Sequence, residues 1–183
     1  MSKNILVITG SPRKGHNSDT LAESFVKGAR EKGHTVNVFN ATAKDIGGCK
    51  ACDTCWSKGR ACSFSDGFTD LEPLLEQADA LVFATPLYWF GFSAQIKAAI
   101  DKLYAYNSPN ALRKLKIKES ALLACAGDTD AYVFDGLART YEIMVDYLKW
   151  KNAGTLLVAG VYDKGDIDGS EALQRAEQMG RDF

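Results

Sequence analysis

Short apolar runs alternate with stretches of helical period along the whole chain. The runs at Asn4–Thr9, Thr35–Phe39, Ala80–Ala84, Ala121–Ala126 and Thr155–Gly160 have strand length and predict five strands. Their apolar residues are consecutive rather than alternating, which suits strands covered on both faces, as in a parallel sheet flanked by helices. Helical spacing predicts helices over Asp19–Lys32, Thr69–Gln77, Ala94–Tyr106, Tyr132–Lys149 and Ser170–Gly180. The fourth is the clearest, because Phe134, Leu137, Ala138, Tyr141, Val145 and Leu148 fall on one face. That stripe is core packing. Five strands joined by right-handed crossovers predict an α/β fold of three layers, with a five-stranded parallel sheet in the order 2-1-3-4-5. At 183 residues without repeats, low-complexity tracts or a linker, residues 1–183 are expected to form a single domain.

In such sheets a ligand sits beyond the carboxyl ends of the strands, at the switch point between the first and third. The first strand ends there in Gly10-Ser11-Pro12-Arg13-Lys14-Gly15-His16-Asn17-Ser18, which opens into a helix. Glycines, hydroxyls, a helix N-terminus and the Arg13 cation at one point make a phosphate cradle, with His16 beside it. Related loops are excluded by their missing residues. A Walker A loop needs Gly-Lys-Ser/Thr, but Gly15 is followed by His16 and Asn17; a dinucleotide fingerprint needs a glycine where Pro12 stands. No cysteine nucleophile or phospho-accepting aspartate occupies the loop. A monophosphate held without a covalent bond remains, beside the plainer alternative in which Asn17 or Ser18 only caps the helix.

Two further loops are expected at the same edge. The third strand runs into Thr85-Pro86-Leu87-Tyr88-Trp89-Phe90-Gly91-Phe92, where a proline turn carries four aromatic rings able to sandwich a planar heterocycle. Tyr88 and Trp89 are the expected contacts; Phe90 and Phe92 suit ligand contact and the covering of the sheet or a subunit interface equally well. After the fourth strand, Gly127-Asp128-Thr129-Asp130 is placed to close the other side of the ring, or to cap the next helix.

A net charge of −1 excludes a broad electrostatic nucleic-acid surface, and the run Arg113, Lys114, Lys116, Lys118 reads as a solvated connection. No apolar stretch is long enough to span a membrane, and the N-terminus lacks a secretion-signal core, so a cytoplasmic location is expected. Cysteines there stay as thiols or bind metal. Cys49, Cys52, Cys55 and Cys62 form CxxCxxCx6C within the patternless segment 40–66, which is longer than an ordinary connection. Three thiols at successive spacings of three suit iron–sulfur ligation better than separated zinc pairs, though the fourth cysteine stands farther on and lacks the proline that follows the last cysteine of bacterial ferredoxins. An iron–sulfur cluster, a zinc ion and free thiols packing a loop or dimer contact all stay open. Cys125 reads as a buried small hydrophobe.

The strings GSPRKGHNS and ATPLYWFGFSAQIKAAIDK together resemble the NAD(P)H-dependent FMN reductases of the flavodoxin-like superfamily, including their cysteine-containing members and the iron–sulfur flavoproteins. The resemblance spans Ile5 to Gly180 and implies a flavodoxin-like three-layer sandwich. It implies that Ser11, Arg13, Asn17 and Ser18 hold the FMN phosphate, that Pro86, Leu87, Tyr88 and Trp89 line the ribityl chain and flavin, and that Gly127 and Asp128 flank the ring. The chemistry it implies is hydride transfer from NAD(P)H via FMN N5 to a quinone, flavin, nitro or azo acceptor. No side-chain catalyst is then needed, because the flavin carries the reaction while backbone donors and stacking set its geometry. The iron–sulfur alternative, with a 4Fe–4S cluster on the four cysteines, implies single-electron traffic between ferredoxin and acceptors. A third reading is a structural FMN- or metal-binding module without turnover. The resemblance also implies a homodimer or homotetramer, with which exposed Phe90, Phe92 and Trp56 are compatible. An electron-carrier flavodoxin fits less well, since such proteins have threonine-rich phosphate loops without the arginine.

Overall fold

The computed structural model describes residues 1–183. Its elements are β1 (Asn4–Thr9), α1 (Asn17–Glu31), β2 (Thr35–Asn40), α2 (Phe68–Gln77), β3 (Ala80–Pro86), α3 (Ala94–Lys102), α4 (Tyr104–Asn107), β4 (Glu119–Cys125), α5 (Asp135–Leu148), β5 (Lys151–Val158) and α6 (Glu171–Asp182), with a 3₁₀ turn at Ala131–Phe134 before α5. The five strands form one sheet in the order β2-β1-β3-β4-β5, with every neighbouring pair parallel. The predicted order is therefore the observed one.

Period-two geometry divides each apolar run between two cores. Leu6, Ile8, Leu81, Phe83, Leu122 and Ala124 face α2, α3 and α5, where Leu71, Ile96 and Tyr141 meet them. The alternate residues Ile5, Val7, Val82, Ala84 and Leu123 face α1 and Ala176 of α6. These last two helices pack so closely that a Cβ at Gly28 would overlap the Glu177 carbonyl, and one at Gly180 the Phe25 carbonyl. No helix is long and apolar enough to cross a membrane.

Two elements depart from the sequence expectation. β5 begins at Lys151 rather than Thr155, because Lys149 leaves α5 in a left-handed conformation (φ 60°) and the chain turns directly into the sheet. Asn152 and Gly154 look like turn residues, but they sit in a register shift opposite Ser120 and Ala121, where Gly154 takes φ 146°. The helix expected over Ala94–Tyr106 divides at Leu103. There the Leu103 N–H bonds to the Ile100 carbonyl and the Tyr106 N–H to the Leu103 carbonyl, a tightened i to i−3 pattern that the apolar stripe does not register. Residues 41–66 carry no helix or strand, as the patternless segment implied.

Candidate functional site

Parallel strands deliver their following loops to one edge, and four such loops meet there. A cavity of about 260 Å³ brings together Ser11, Arg13, Asn17 and Ser18 with Pro86, Leu87, Tyr88 and Gly127. Trp89 and Asp128 lie outside it, on a shallower cleft of about 460 Å³ that shares Leu87, Tyr88 and Gly127. All the residues singled out from the sequence for cofactor binding thus border two adjoining hollows.

The phosphate-type loop ends in a helix N-terminus whose amides are left open. The N-cap residue His16 makes no side-chain capping bond, and the first-turn amides of Asn17 and Ser18 have no backbone acceptor although both residues are buried. A buried, uncapped N-terminus of a 15-residue helix, with its positive dipole end, suits an anion. Gly15 adopts φ 67°, which turns its N–H onto the Asp19 carboxylate at 2.9 Å. Burial pushes the Asp19 carboxyl up, against the lowering effect of that bond, and its other oxygen is buried without a partner. The Ser11 hydroxyl is held locally: it accepts the Arg13 N–H at 3.2 Å and lies 3.0 Å from the Arg13 carbonyl.

The Asn17 side chain makes its hydrogen bonds within the chain. Its amide donates to the Asp163 carbonyl at 3.0 Å and its oxygen lies 3.4 Å from the Ile167 N–H, so it fastens the loop after β5 to the start of α1. Its backbone N–H has no backbone acceptor. The fastened loop carries Tyr162, which sequence reasoning missed. The Tyr162 ring lines the cavity, lies 5.2 Å from the Arg13 guanidinium carbon, and approaches Gly127 so closely that a Cβ there would stand 2.7 Å from its Cδ2. No residue-type motif marks Tyr162. The available signal was topological, since β5 pairs with β4 in parallel and must end at the same edge.

The aromatic loop is clamped at its base. The Thr85 hydroxyl donates to the Pro86 carbonyl at 2.8 Å and accepts the Ser93 N–H at 3.1 Å, while the Leu87 N–H reaches the Cys125 carbonyl at 2.7 Å. Tyr88 and Gly91 then exchange backbone bonds of 3.2 and 3.0 Å, which closes a two-residue hairpin turn. Its central residues, Trp89 and Phe90, both have positive φ, 44° and 61°. Asn-Gly suits such a turn; two bulky aromatic residues there are strained. The turn holds Trp89 almost wholly in solvent (95% exposed) and leaves Phe90 half exposed. Phe92 is not an exposed aromatic: it is buried against Phe83, with ring centroids 5.6 Å apart. Trp56 is likewise partly buried, because its indole N–H donates to the Ala105 carbonyl at 2.9 Å. Asp130 caps the 3₁₀ turn by accepting the Tyr132 N–H, and Asp128 accepts the Asp130 N–H. Cys125 is buried in the sheet, which pushes its thiol up to about 12.

The other four cysteines are free thiols lining a single separate cavity of about 240 Å³. They are not drawn together at ligating distance, and no cluster of three or more His, Cys, Asp or Glu stands ready for a metal. Cys49 and Cys52 are exposed; Cys55 and Cys62 are half-buried. The Thr54 hydroxyl, 3.1 Å from the Cys52 sulfur, holds that thiol below its ordinary range, whereas burial raises Cys55. Between the first three cysteines, Ala51 and Asp53 take left-handed φ values of 49° and 53°. In the wall of the cavity, burial raises the Asp66 carboxyl, but the Lys102 ammonium and two backbone amides outweigh it and hold the group low.

A switch-point crevice with an anion-ready helix N-terminus defines a flavodoxin-like protein. The family model described as NADPH-dependent FMN reductase matches residues 3–133, and the chain belongs to that family. It is 34% identical over 99 residues to an iron–sulfur flavoprotein of Archaeoglobus fulgidus, an alignment that covers 54% of this chain and 44% of that protein. The chain therefore spans less than half the length of that relative. It is 27% identical over 153 residues to the iron–sulfur flavoprotein of Methanosarcina thermophila, covering 84% of this chain and 75% of that one. In structure it is similar to an NAD(P)H:quinone oxidoreductase from Methanothermobacter marburgensis, with a TM-score of 0.77 and 22% identity over 99% of this chain and 96% of that chain. At that identity the likeness is one of fold.

The strain in the 88–91 turn has a measurable consequence. Replacing Trp89→Asn supplies a residue that tolerates the left-handed conformation, at a position almost wholly in solvent. The variant is expected to gain about 1 kcal/mol of unfolding free energy, read as a higher urea midpoint at unchanged slope. A lower midpoint would show that the indole stabilises the turn.

Proposed function

We propose that residues 1–183 act as one FMN-binding unit with NAD(P)H-dependent oxidoreductase activity toward a small electron acceptor of the quinone, flavin, nitro or azo class. The observation that carries this reading is the buried, uncapped N-terminus of α1 opening onto a cavity with Arg13 on its rim, continuous with a cleft under the aromatic turn. FMN has the matching shape, with a dianionic phosphate at one end and a planar ring at the other. Bound FMN would supply the redox chemistry, accepting an electron pair from a nicotinamide and releasing electrons to the acceptor.

The chain's own residues then bind and orient. The amides of Asn17 and Ser18, with the Arg13 guanidinium, neutralise the phosphate; the Tyr162 ring steadies that guanidinium from the outer side. Pro86 to Trp89 form one wall of the ring site, and Gly127 and Asp128 the other. The Leu87 and Tyr88 amides are committed to the Cys125 and Gly91 carbonyls, so donors to the ring edge come from amides without a backbone acceptor, those of Trp89, Gly127 and Asp128. Exposed Tyr88 and Trp89 leave the outer face open to a flat nicotinamide and then to a flat acceptor in turn.

A second reading is an iron–sulfur flavoprotein, and the conformation of the cysteine loop favours it. Ala51 and Asp53, between closely spaced cysteines, take the left-handed conformation that anion-binding nests use, and such nests recur at iron–sulfur sites. Cys49, Cys52, Cys55 and Cys62 would be the ligands of a 4Fe–4S cluster, and the electron source would be a one-electron carrier such as ferredoxin. An anaerobic spectrum of the purified protein, before and after stoichiometric NADPH and with iron and sulfide assayed, separates the readings. Rapid bleaching of a flavin spectrum without iron supports the reductase. Slow bleaching with stoichiometric iron and sulfide supports the cluster, and a colourless protein that FMN does not reconstitute overturns both.

Arg13→Ala is expected to raise the FMN Kd about tenfold or more while leaving the urea midpoint of the apoprotein unchanged, because Arg13 is exposed and its charge serves the ligand. An unchanged Kd removes Arg13 from the site. A homodimer is part of the same proposal, with the second copy against the outer face of α5, where Ile143 and Tyr147 are exposed one turn apart and Tyr132 extends the stripe. Ile143→Lys is expected to shift the protein to monomer on size-exclusion chromatography; the same elution volume for both forms would clear that face of any role in assembly.

A further inference from the structure

The cysteine segment has no ladder or helical hydrogen bonds of its own, so other contacts have to fix it. One side chain closes it at both ends. The Asp66 carboxylate accepts the Gly47 N–H at 3.0 Å through Oδ2 and the Phe68 N–H at 2.9 Å through Oδ1. Gly47 stands just ahead of Cys49, and Asp66 follows Cys62 by one turn of chain. The same Oδ2 pairs with the Lys102 ammonium from the last residue of α3. Lys102 is 5% exposed, with its ammonium 5.3 Å from the Phe68 ring centroid, so neither water nor another carboxylate balances its charge. Both members of the pair line the cavity that the four cysteines line.

We propose that the Asp66–Lys102 pair is the positioning element of the cysteine cavity, a latch that ties the two ends of segment 47–66 to α3 so that four thiols face one space. Neither residue is a ligand. Other ties hold the loop as well: the Gly67 N–H on the Asp45 carbonyl at 2.9 Å, the Arg60 guanidinium on the Thr69 hydroxyl at 2.7 Å, the Tyr104 hydroxyl on the Asp53 carboxylate at 3.1 Å, the Cys62 N–H on the Glu72 carboxylate at 2.9 Å and the Trp56 indole on the Ala105 carbonyl, but only Asp66 joins both ends to Lys102 of α3. A buried ammonium that loses its partner cannot stay where it is. Removal of the Asp66 carboxylate therefore unfastens the loop from Lys102 and takes away the side-chain tie between its ends, leaving the Gly67–Asp45 backbone bond to hold them alone. The proposal deepens the reading of the cysteines as a ligand set, but the latch can be tested without any metal.

The test uses the full-length, FMN-loaded, metal-free protein with Asp66→Asn and Lys102→Met variants. Alkylation of each cysteine by iodoacetamide is followed by mass spectrometry. Half-buried Cys55 and Cys62 are expected to react about tenfold faster in both variants, approaching exposed Cys49 and Cys52, while Cys125 in β4 stays protected and the FMN Kd stays within about twofold. Unchanged rates at Cys55 and Cys62 overturn the proposal. If a single variant opens the whole fold, Cys125 reacts as well. The paired replacement Asp66→Leu with Lys102→Met then removes both charges together, and fast Cys55 and Cys62 beside a protected Cys125 support the latch, whereas slow ones overturn it. Anaerobic loading with ferrous iron and sulfide gives the second readout. Uptake by the unsubstituted protein that both variants lose supports positioning of a ligand set. Equal uptake by all three overturns it. No uptake by any of them overturns the cluster reading and leaves the latch to the alkylation rates.

Discussion

Between β1 and β3 the chain changes the side on which it adds strands, and the rest of the molecule depends on that reversal. β2 is laid on one side of β1, whereas β3, β4 and β5 are laid successively on the other. Right-handed crossovers then send α1 and α6 to one face and α2, α3 and α5 to the opposite one, so the connections leaving β1 and β3 diverge and a crevice opens between them. The N-terminus of α1 stands in that crevice because α1 follows the first strand immediately. Its buried amides need an acceptor from outside the helix, and the dipole end favours an anionic one. Burial of β1 on both faces, with Ile5 to Ile8 at 2% exposure or less, makes the position rigid.

Rigidity at the base of the site is set against strain at its rim. Thr85, Ser93 and Leu87 fix the aromatic loop to the sheet with bonds of ordinary length, and those bonds over-determine a turn that its own sequence resists. Held this way, Trp89 stays in solvent and the cleft it borders stays open. The proposed chemistry needs that arrangement, because donor and acceptor have to occupy the same place one after the other.

The sheet order was legible because consecutive apolar residues, helical spacing and crossover handedness all point the same way. The three loops carrying glycine, proline and aromatic signals were legible for a similar reason, since such residues have local conformational meaning. What escaped was whatever depended on distant partners. Lys151 to Gly154 look like a turn until the bulge opposite Ser120 is known, and Leu103 breaks a helix whose apolar stripe runs on without interruption. Phe92 and Trp56 carry no mark in the sequence of the partners that bury them. Tyr162 enters the site only because Asn17, read as a phosphate ligand, spends its side chain holding Tyr162's loop. Asp66 and Lys102 are ordinary charges in sequence, and only the fold makes them a buried pair.

The two candidate centres hang on different strands, and this separates their fates. The proposed flavin site is made by loops after β1, β3, β4 and β5; the cysteine segment follows β2, on the far side of the switch point. Lengthening a surface connection costs little, so the loop after β2 can gain or lose a thiol cavity without disturbing the crevice. The physical link between them is α3. Its N-terminal flank, Ser93, bonds to Thr85 and touches the phosphate-type loop so tightly that a Cβ at Gly10 would strike the Ser93 hydroxyl; its last residue, Lys102, grips the cysteine segment. Nine residues of helix hold those ends about 13 Å apart. A rod of that length fixes the thiol cavity relative to the switch-point crevice, so that the proposed contents of the two would keep one separation while each cavity is lined by its own loops.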